Sequence, residues 1–249
     1  MRAIFSQYTT TGWKRKENQD RIGIFQTPGK DGIIYMAIVC DGLGGLERGA
    51  MASTMAVEGM EGWFQSRFVD AGIYDDENVS IAWQSVMEHI NRDIRREGIL
   101  GNGRMGTTLS ALLLYPYGTY YIMHVGDSRI YCDNGRLQQL TEDQSLVEKE
   151  VREGKITPAQ ARTDSRRNIL LQCVGTDKEI HPSFYSGRFK KGDSFLLCTD
   201  GFWHYTTEKE YCVMMRDTNM NSDTLKQHIE LLEQRGETDN ISAVIIQVK

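Results

Sequence analysis

The chain has 249 residues, 40% hydrophobic and 25% charged, and 29 basic against 34 acidic side chains leave a net charge of −5. This composition excludes a disordered or fibrous chain, and no block of like charge resembles a nucleic-acid arm, so nucleic acid is not expected as a partner. No segment approaches the ~18 apolar residues of a membrane span and the first residues lack an apolar signal stretch, so the expectation is one cytoplasmic domain over 1–249 with no membrane partner.

Strand-like runs at 2–8 and 21–25 enclose "GWKRKENQD", Gly12 to Asp20, which reads as an ordinary solvated turn or as a guanidinium fork at Arg15 beside a carboxylate at Asp20. A third run, 33–40, ends in "CDGLGG" and leads into a helical pattern from Glu47 to Phe68, with a second from Asn78 to Arg96. Runs 108–115, 119–125 and 129–132 carry the turn signals "PYG" at 116–118 and "DNG" at 133–135, which favour an antiparallel meander. The densely charged segment 145–168 interrupts the strands and reads as a surface insertion or lid. Beyond it come a run at 194–198, a helix from Asp223 to Arg235 with Ser222 as N-cap, and a last run at 241–248. Strand groups separated by helical blocks predict an α+β fold with helices outside antiparallel sheets. The five cysteines are odd in number and form no C-x-x-C pair, which fits reduced core residues.

The glycines of "CDGLGG" fail the phosphate-loop patterns: a G-x-G-x-x-G from Gly42 meets Glu47, and no Gly-Lys-Ser/Thr exists in the chain. What recurs instead is an apolar strand running into an aspartate: Asp41, Asp127 in "HVGDSR" and Asp200 in "LLCTDG", with Asp239 just before the final run. Each alone reads as a turn residue. Four along one sheet rim would repel one another unless a cation neutralised them, and all-oxygen sites suit Mg²⁺ or Mn²⁺. The five histidines show no zinc spacing.

In order along the chain, "R-x-x-N-Q-D" at 15–20, "CDGLGG" at 40–45, "MGTT" at 105–108, "HVGDSRIY" at 124–131, "LTEDQSLV" at 140–147, "LLCTDGFW" at 196–203 and "TDNISAV" at 238–244 resemble the metal-dependent protein phosphatases of type 2C, closest to the compact bacterial members. The resemblance implies an α-β-β-α architecture, a central sandwich of two antiparallel sheets flanked by helical layers, with 145–168 as its flap. It also implies two Mn²⁺ or Mg²⁺ ions, bridged by Asp41, with the Gly42 carbonyl on one and Asp200 and Asp239 on the other. Asp20 would hold metal-bound water, Asp127 a third, weaker ion, Asn240 would orient water, and Arg15 would grip the phosphate. The activity implied is hydrolysis of phosphoserine and phosphothreonine by a metal-bridging water. Phosphorylated proteins would be the partners, a cognate kinase or its targets among them, and the chain is expected to be a monomer.

Two rival readings are a weakly active phosphoprotein-binding signalling module and a hydrolase of small phosphate esters. A histidine that relatives often carry after the Asp-Gly is replaced here by Leu43 and Leu46, with Glu47 as a speculative proton donor, and Gln144 stands where relatives often have His.

Overall fold

A computed structural model of the chain describes residues 2–43, 48–66, 76–217 and 221–249. Among the described residues, ten strands form two five-stranded antiparallel sheets. One has the order β1-β10-β9-β6-β7, built from β1 (Ala3–Thr10), β6 (Arg129–Asp133), β7 (Leu137–Gln139), β9 (Ser194–Cys198) and β10 (Ile241–Val248). The other has the order β2-β3-β4-β5-β8, from β2 (Asp20–Gly29), β3 (Gly32–Asp41), β4 (Leu109–Leu114), β5 (Thr119–Val125) and β8 (Ser183–Arg188). The described helices are α1 (Gly49–Ser66), α2 (Asp76–Leu100), α3 (Leu146–Arg152), α4 (Pro158–Thr163), α5 (Asp200–Trp203), α6 (Glu208–Arg216) and α7 (Ser222–Gln234).

The period of two along the central strands explains the layering. On β3, Tyr35, Ala37 and Val39 face the other sheet and pack with Leu112, Ile122, Phe195, Leu197, Val244 and Ile246. The alternate residues Ile34, Met36, Ile38 and Cys40 face outward and are covered by Ala52, Ala56 and Met60 of α1 and Trp83 and Met87 of α2. On the other sheet Leu196, Cys198, Ala243 and Ile245 are covered by Met214 and Met215 of α6 and Leu225, Ile229 and Leu232 of α7. A strand buried on both faces reads as an unbroken apolar run, which is why 33–40 and 241–248 show no polar alternation. The expected α-β-β-α sandwich is therefore the fold observed. No helix among the described residues is long and apolar enough to cross a membrane.

Several boundaries differ from expectation. Asn221, and not Ser222, caps α7: its side-chain oxygen accepts the amides of Asp223 and Thr224, and Ser222 is already helical. Strands β7 and β8 and helix α6 escaped the sequence reading; β7 is three residues long, and β8 is an edge strand with no fully buried side chain. The charged stretch 145–168 holds two short capped helices. Ser145 caps α3, and Thr157 with Gln160 forms a capping box before Pro158 of α4. All five cysteines are free, four of them buried.

Leu112→Ala, which empties a fully buried position between the sheets, should cost about 2–5 kcal/mol, whereas Val213→Ala on the 62% exposed face of α6 should change stability by less than about 0.5 kcal/mol. Urea unfolding midpoints at constant m-value test both; equal midpoints for the two variants would contradict the layering.

Candidate metal centre

Antiparallel pairing brings strand ends and strand starts to one rim. Asp20, the first residue of β2, lies directly opposite Asp41, the last of β3. From the other sheet, Cys198 at the end of β9 lies beside Ala243 near the start of β10, which puts Asp200 and Asp239 at the same edge. Asp127 sits where the chain leaves β5 of one sheet for β6 of the other.

Hydroxyls, backbone groups and Arg15 position several of these aspartates. Asp20 is 1% exposed, and its Oδ2 accepts bonds from Thr199 Oγ1 (2.9 Å) and Ser242 Oγ (2.7 Å), both from the opposite sheet. The Asp41 amide donates to Thr108 Oγ1 (2.9 Å), and its carbonyl accepts from Thr107 Oγ1 (2.9 Å) and the Thr108 amide (2.8 Å). Gly42 lies where a Cβ would stand 2.4 Å from the Gly49 carbonyl oxygen, so only glycine lets the chain pass here to α1. Asp200 opens α5, where the helix N-terminus favours a negative charge. Asp239 Oδ2 accepts from Arg15 Nη2 (2.6 Å) and its Oδ1 from the Asn240 amide (2.8 Å).

Arg15 is carried by a loop pressed onto the Asp239 segment: Gly12, at φ +73°, would place a Cβ 2.6 Å from the Asp239 carbonyl oxygen. Asn240, expected to orient water, instead spends its side chain on this loop. It donates to the Thr11 and Glu17 carbonyls (2.9 and 3.0 Å) and accepts from the Gln19 amide (2.9 Å), so what it positions in this structure is the segment that carries Arg15.

These carboxylates share one field. Burial raises Asp41 and Asp127 well above the ordinary carboxylate range, and neighbouring charges add to it; at Asp41 those charges are Asp20, Asp200, Asp127 and Asp239. Asp200 is raised by burial as well, partly offset by His204. Burial also pushes Asp20 up to about 7 despite its two hydroxyl partners. Asp20 Oδ1 and Asp200 Oδ1 are buried without any hydrogen-bond partner. Orphaned, mutually repelling carboxylate oxygens fit hard divalent cations. Among the described residues no three His, Cys, Asp or Glu side chains form a ready-made cage. A rim of separate oxygens suits an ion that keeps several of its waters, as Mg²⁺ does.

The sequence reading missed His204 and Glu237. His204 Nδ1 lies 3.3 Å from Glu237 Oε2, and its Nε2 lies 3.9 Å from Asp200 Oδ2. Burial acts to lower the imidazole pKa, but the Glu237 hydrogen bond and the Asp200 and Glu237 charges outweigh it and raise the pKa. Glu237 Oε1 also accepts the Thr238 and Asp239 amides (2.6 and 2.9 Å). The available signal was the placement of His204 one helical turn after Asp200. Gln144 has a structural place: its Oε1 accepts the Gly126 amide (3.0 Å), tying down the turn that presents Asp127. Leu43 is described and donates its amide to the Gly106 carbonyl, whereas Leu46 and Glu47, and any role for them in proton delivery, lie outside the described residues.

Residues 14–243 match the family model described as Protein phosphatase 2C. The chain is 30% identical over 243 residues to the serine/threonine phosphatase stp of Listeria innocua, covering 96% of this chain and 93% of that one. It superimposes on the Staphylococcus aureus serine/threonine phosphatase Stp1 with a TM-score of 0.89 at 26% identity, over 100% of this chain and 96% of the other. It shares its fold with the catalytic domain of PstP, solved in complex with two manganese ions, at a TM-score of 0.80 and 24% identity over 99% and 98% of the two chains.

The raised pKa of Asp20 fixes the sign of a pH effect. Between the ordinary 3.8 and about 7 the folded chain holds a proton that the unfolded chain has lost, so this group's stabilising contribution falls as pH rises through that window. In chelator, the thermal midpoint should decline from about pH 5 to about pH 7.5, and Asp20→Asn should flatten that decline. Equal slopes for the two proteins would contradict the assignment.

Proposed function

The chain belongs to the protein phosphatase 2C family and is a protein serine/threonine phosphatase; from that premise we propose how its own residues carry the reaction. Phosphoproteins are the substrate class that follows. The observation that carries the reading is the convergence of Asp20, Asp41, Asp127, Asp200 and Asp239 in one field, with two carboxylate oxygens left unpartnered and Arg15 beside them.

In this reading Asp41, the Gly42 carbonyl, Asp200 and Asp239 would hold Mn²⁺ or Mg²⁺. Asp20 would act on them through water, and Asp127 would hold a further ion. Bound there, such cations would supply a coordinated water of lowered pKa and would offset charge on the phosphoryl oxygens. Arg15 binds the substrate phosphate. Its side chain is 41% exposed, is anchored on Asp239 and feels the charges of Asp200 and Asp41, so a planar donor fork is held, partly exposed, beside the acidic rim. Asn240 and Gly12 keep that fork in register with Asp239. Thr199, Ser242 and Thr108 hold the Asp20 carboxylate and the Asp41 backbone in fixed positions, so the acidic rim is preorganised before substrate arrives.

Five free cysteines suit a reducing compartment, and we place the protein in the cytoplasm as a monomer, where a protein kinase or its targets would be its substrates.

Purified protein should hydrolyse a phosphothreonine peptide with Mn²⁺ or Mg²⁺ and stop when the ion is chelated. Asp41→Asn or Asp239→Asn should lower kcat by at least about 10²-fold with the circular-dichroism spectrum unchanged, and Arg15→Ala should lower kcat/KM by about 10- to 100-fold. Turnover in chelator, or none with either ion, would refute this assignment.

A further inference from the structure

Beside the acidic rim lies a groove of about 620 Å³ between the flap and α5, with Asp127 in its wall together with Trp203, His204 and Glu237. Two flap arginines line it: Arg162 in the last turn of α4 and Arg167 just beyond that helix. Both are exposed, and neither side chain has an ion-pair partner among the described residues. Their neighbour Arg166 differs, since its guanidinium is bonded to Glu150 (3.0 and 2.8 Å) and Asp164 (3.1 and 2.8 Å) and fastens the flap to itself.

Other charges of the groove, Arg129, Asp143 and Glu237 among them, are engaged within the fold. Arg129 forks onto Asp143 and stacks with its guanidinium carbon 3.5 Å from the centroid of the Trp203 ring. Glu237 is bonded to His204 and two backbone amides. Glu148 of α3 also lines the groove; burial and the Asp143 charge raise its pKa, against the pull of the Arg129 and Arg152 charges. Arg167 is close enough for its charge to act on His204, which places it over the same space. Among the described residues lining the groove, Arg162 and Arg167 are therefore the cations without a carboxylate partner.

We propose that this groove is a second, anion-selective subsite, in which Arg162 and Arg167 take a carboxylate or second phosphate on the substrate chain, close in sequence to the phosphoresidue being hydrolysed. The proposal rests on the phosphatase reading of the adjoining rim. The groove is continuous with Asp127, so a peptide whose phosphate lies at Arg15 and the acidic rim can extend under the flap. Guanidinium forks match carboxylate and phosphate oxygens alike. A neutral or basic flanking residue would leave the arginines unpaired or repelled, so the subsite discriminates among substrates and leaves the hydrolytic step to the rim.

The test uses the full chain with Mn²⁺ and phosphothreonine peptides in five versions: alanine flanks, glutamate on the N-terminal side, glutamate on the C-terminal side, a second phosphate as phosphoserine, and lysine flanks. The quantity read is the ratio of kcat/KM between each charged peptide and the alanine peptide within one protein, so a general loss of activity cancels. Wild type should favour at least one anionic peptide by about 3- to 10-fold, with the advantage shrinking as salt is raised to about 0.5 M. The glutamate and phosphoserine arms identify which anion is taken. Arg162→Ala/Arg167→Ala should bring the ratio to about one, and Arg162→Glu/Arg167→Glu should turn the preference towards lysine flanks. Equal hydrolysis of anionic and alanine peptides by wild type, or a preference that survives both double substitutions, would overturn the subsite alone. Failure of wild type to hydrolyse any of the peptides would overturn the phosphatase reading and the subsite together.

Discussion

The Asp20 carboxylate is buried at the junction of the two sheets and gripped through one oxygen by Thr199 and Ser242, residues 179 and 222 positions away. A carboxylate in that position resists ionisation, and it faces Asp41, Asp200 and Asp239 across the same rim. Everything about the site depends on the scaffold holding these like-charged groups closer together than they would settle in water. The two hydroxyls contribute fixed dipoles, and the sheet register contributes the positions.

Such a rim needs a stiff support, and the central strands supply it by burying both faces. β3, β4, β9 and β10 lie almost wholly in apolar layers, between the sheets on one side and under helices on the other. Close packing on both faces leaves little room for the strand ends to splay apart under mutual repulsion. The unpartnered oxygens of Asp20 and Asp200 are thus a local cost carried by the surrounding core, as functional sites often require.

The surroundings of the rim add further charged side chains. His204 and Glu237 form a pair beside Asp200. Glu237 also holds the Asp239 backbone, so this pair links two of the acidic positions. The flap is built to be rigid, with capped helices and the Arg166 knot, yet it exposes Arg162 and Arg167 to the groove beside the rim. Chemistry and selectivity are thereby supported by separate elements: sheet ends for the first, flap and α5 for the second.

Local sequence carried a large part of this. The apolar runs, the aspartates that end them and the helical blocks are written in neighbouring residues, because strand and helix periodicity and turn chemistry are short-range properties. Asp41, Asp200 and Asp239 could be singled out for that reason, and the ordered motifs around them pointed to a phosphatase. The short β7, the half-exposed β8 and the cap at Asn221 were harder to read, since few buried side chains or competing polar neighbours marked them. Only the tertiary structure decided that Asp20 bridges the sheets, that Asn240 secures the loop of Arg15, that Gln144 fastens the turn before Asp127, and that His204 meets Glu237. Those encounters join residues 18 to 229 positions apart. They are set by sheet order and register, which no local stretch of chain contains.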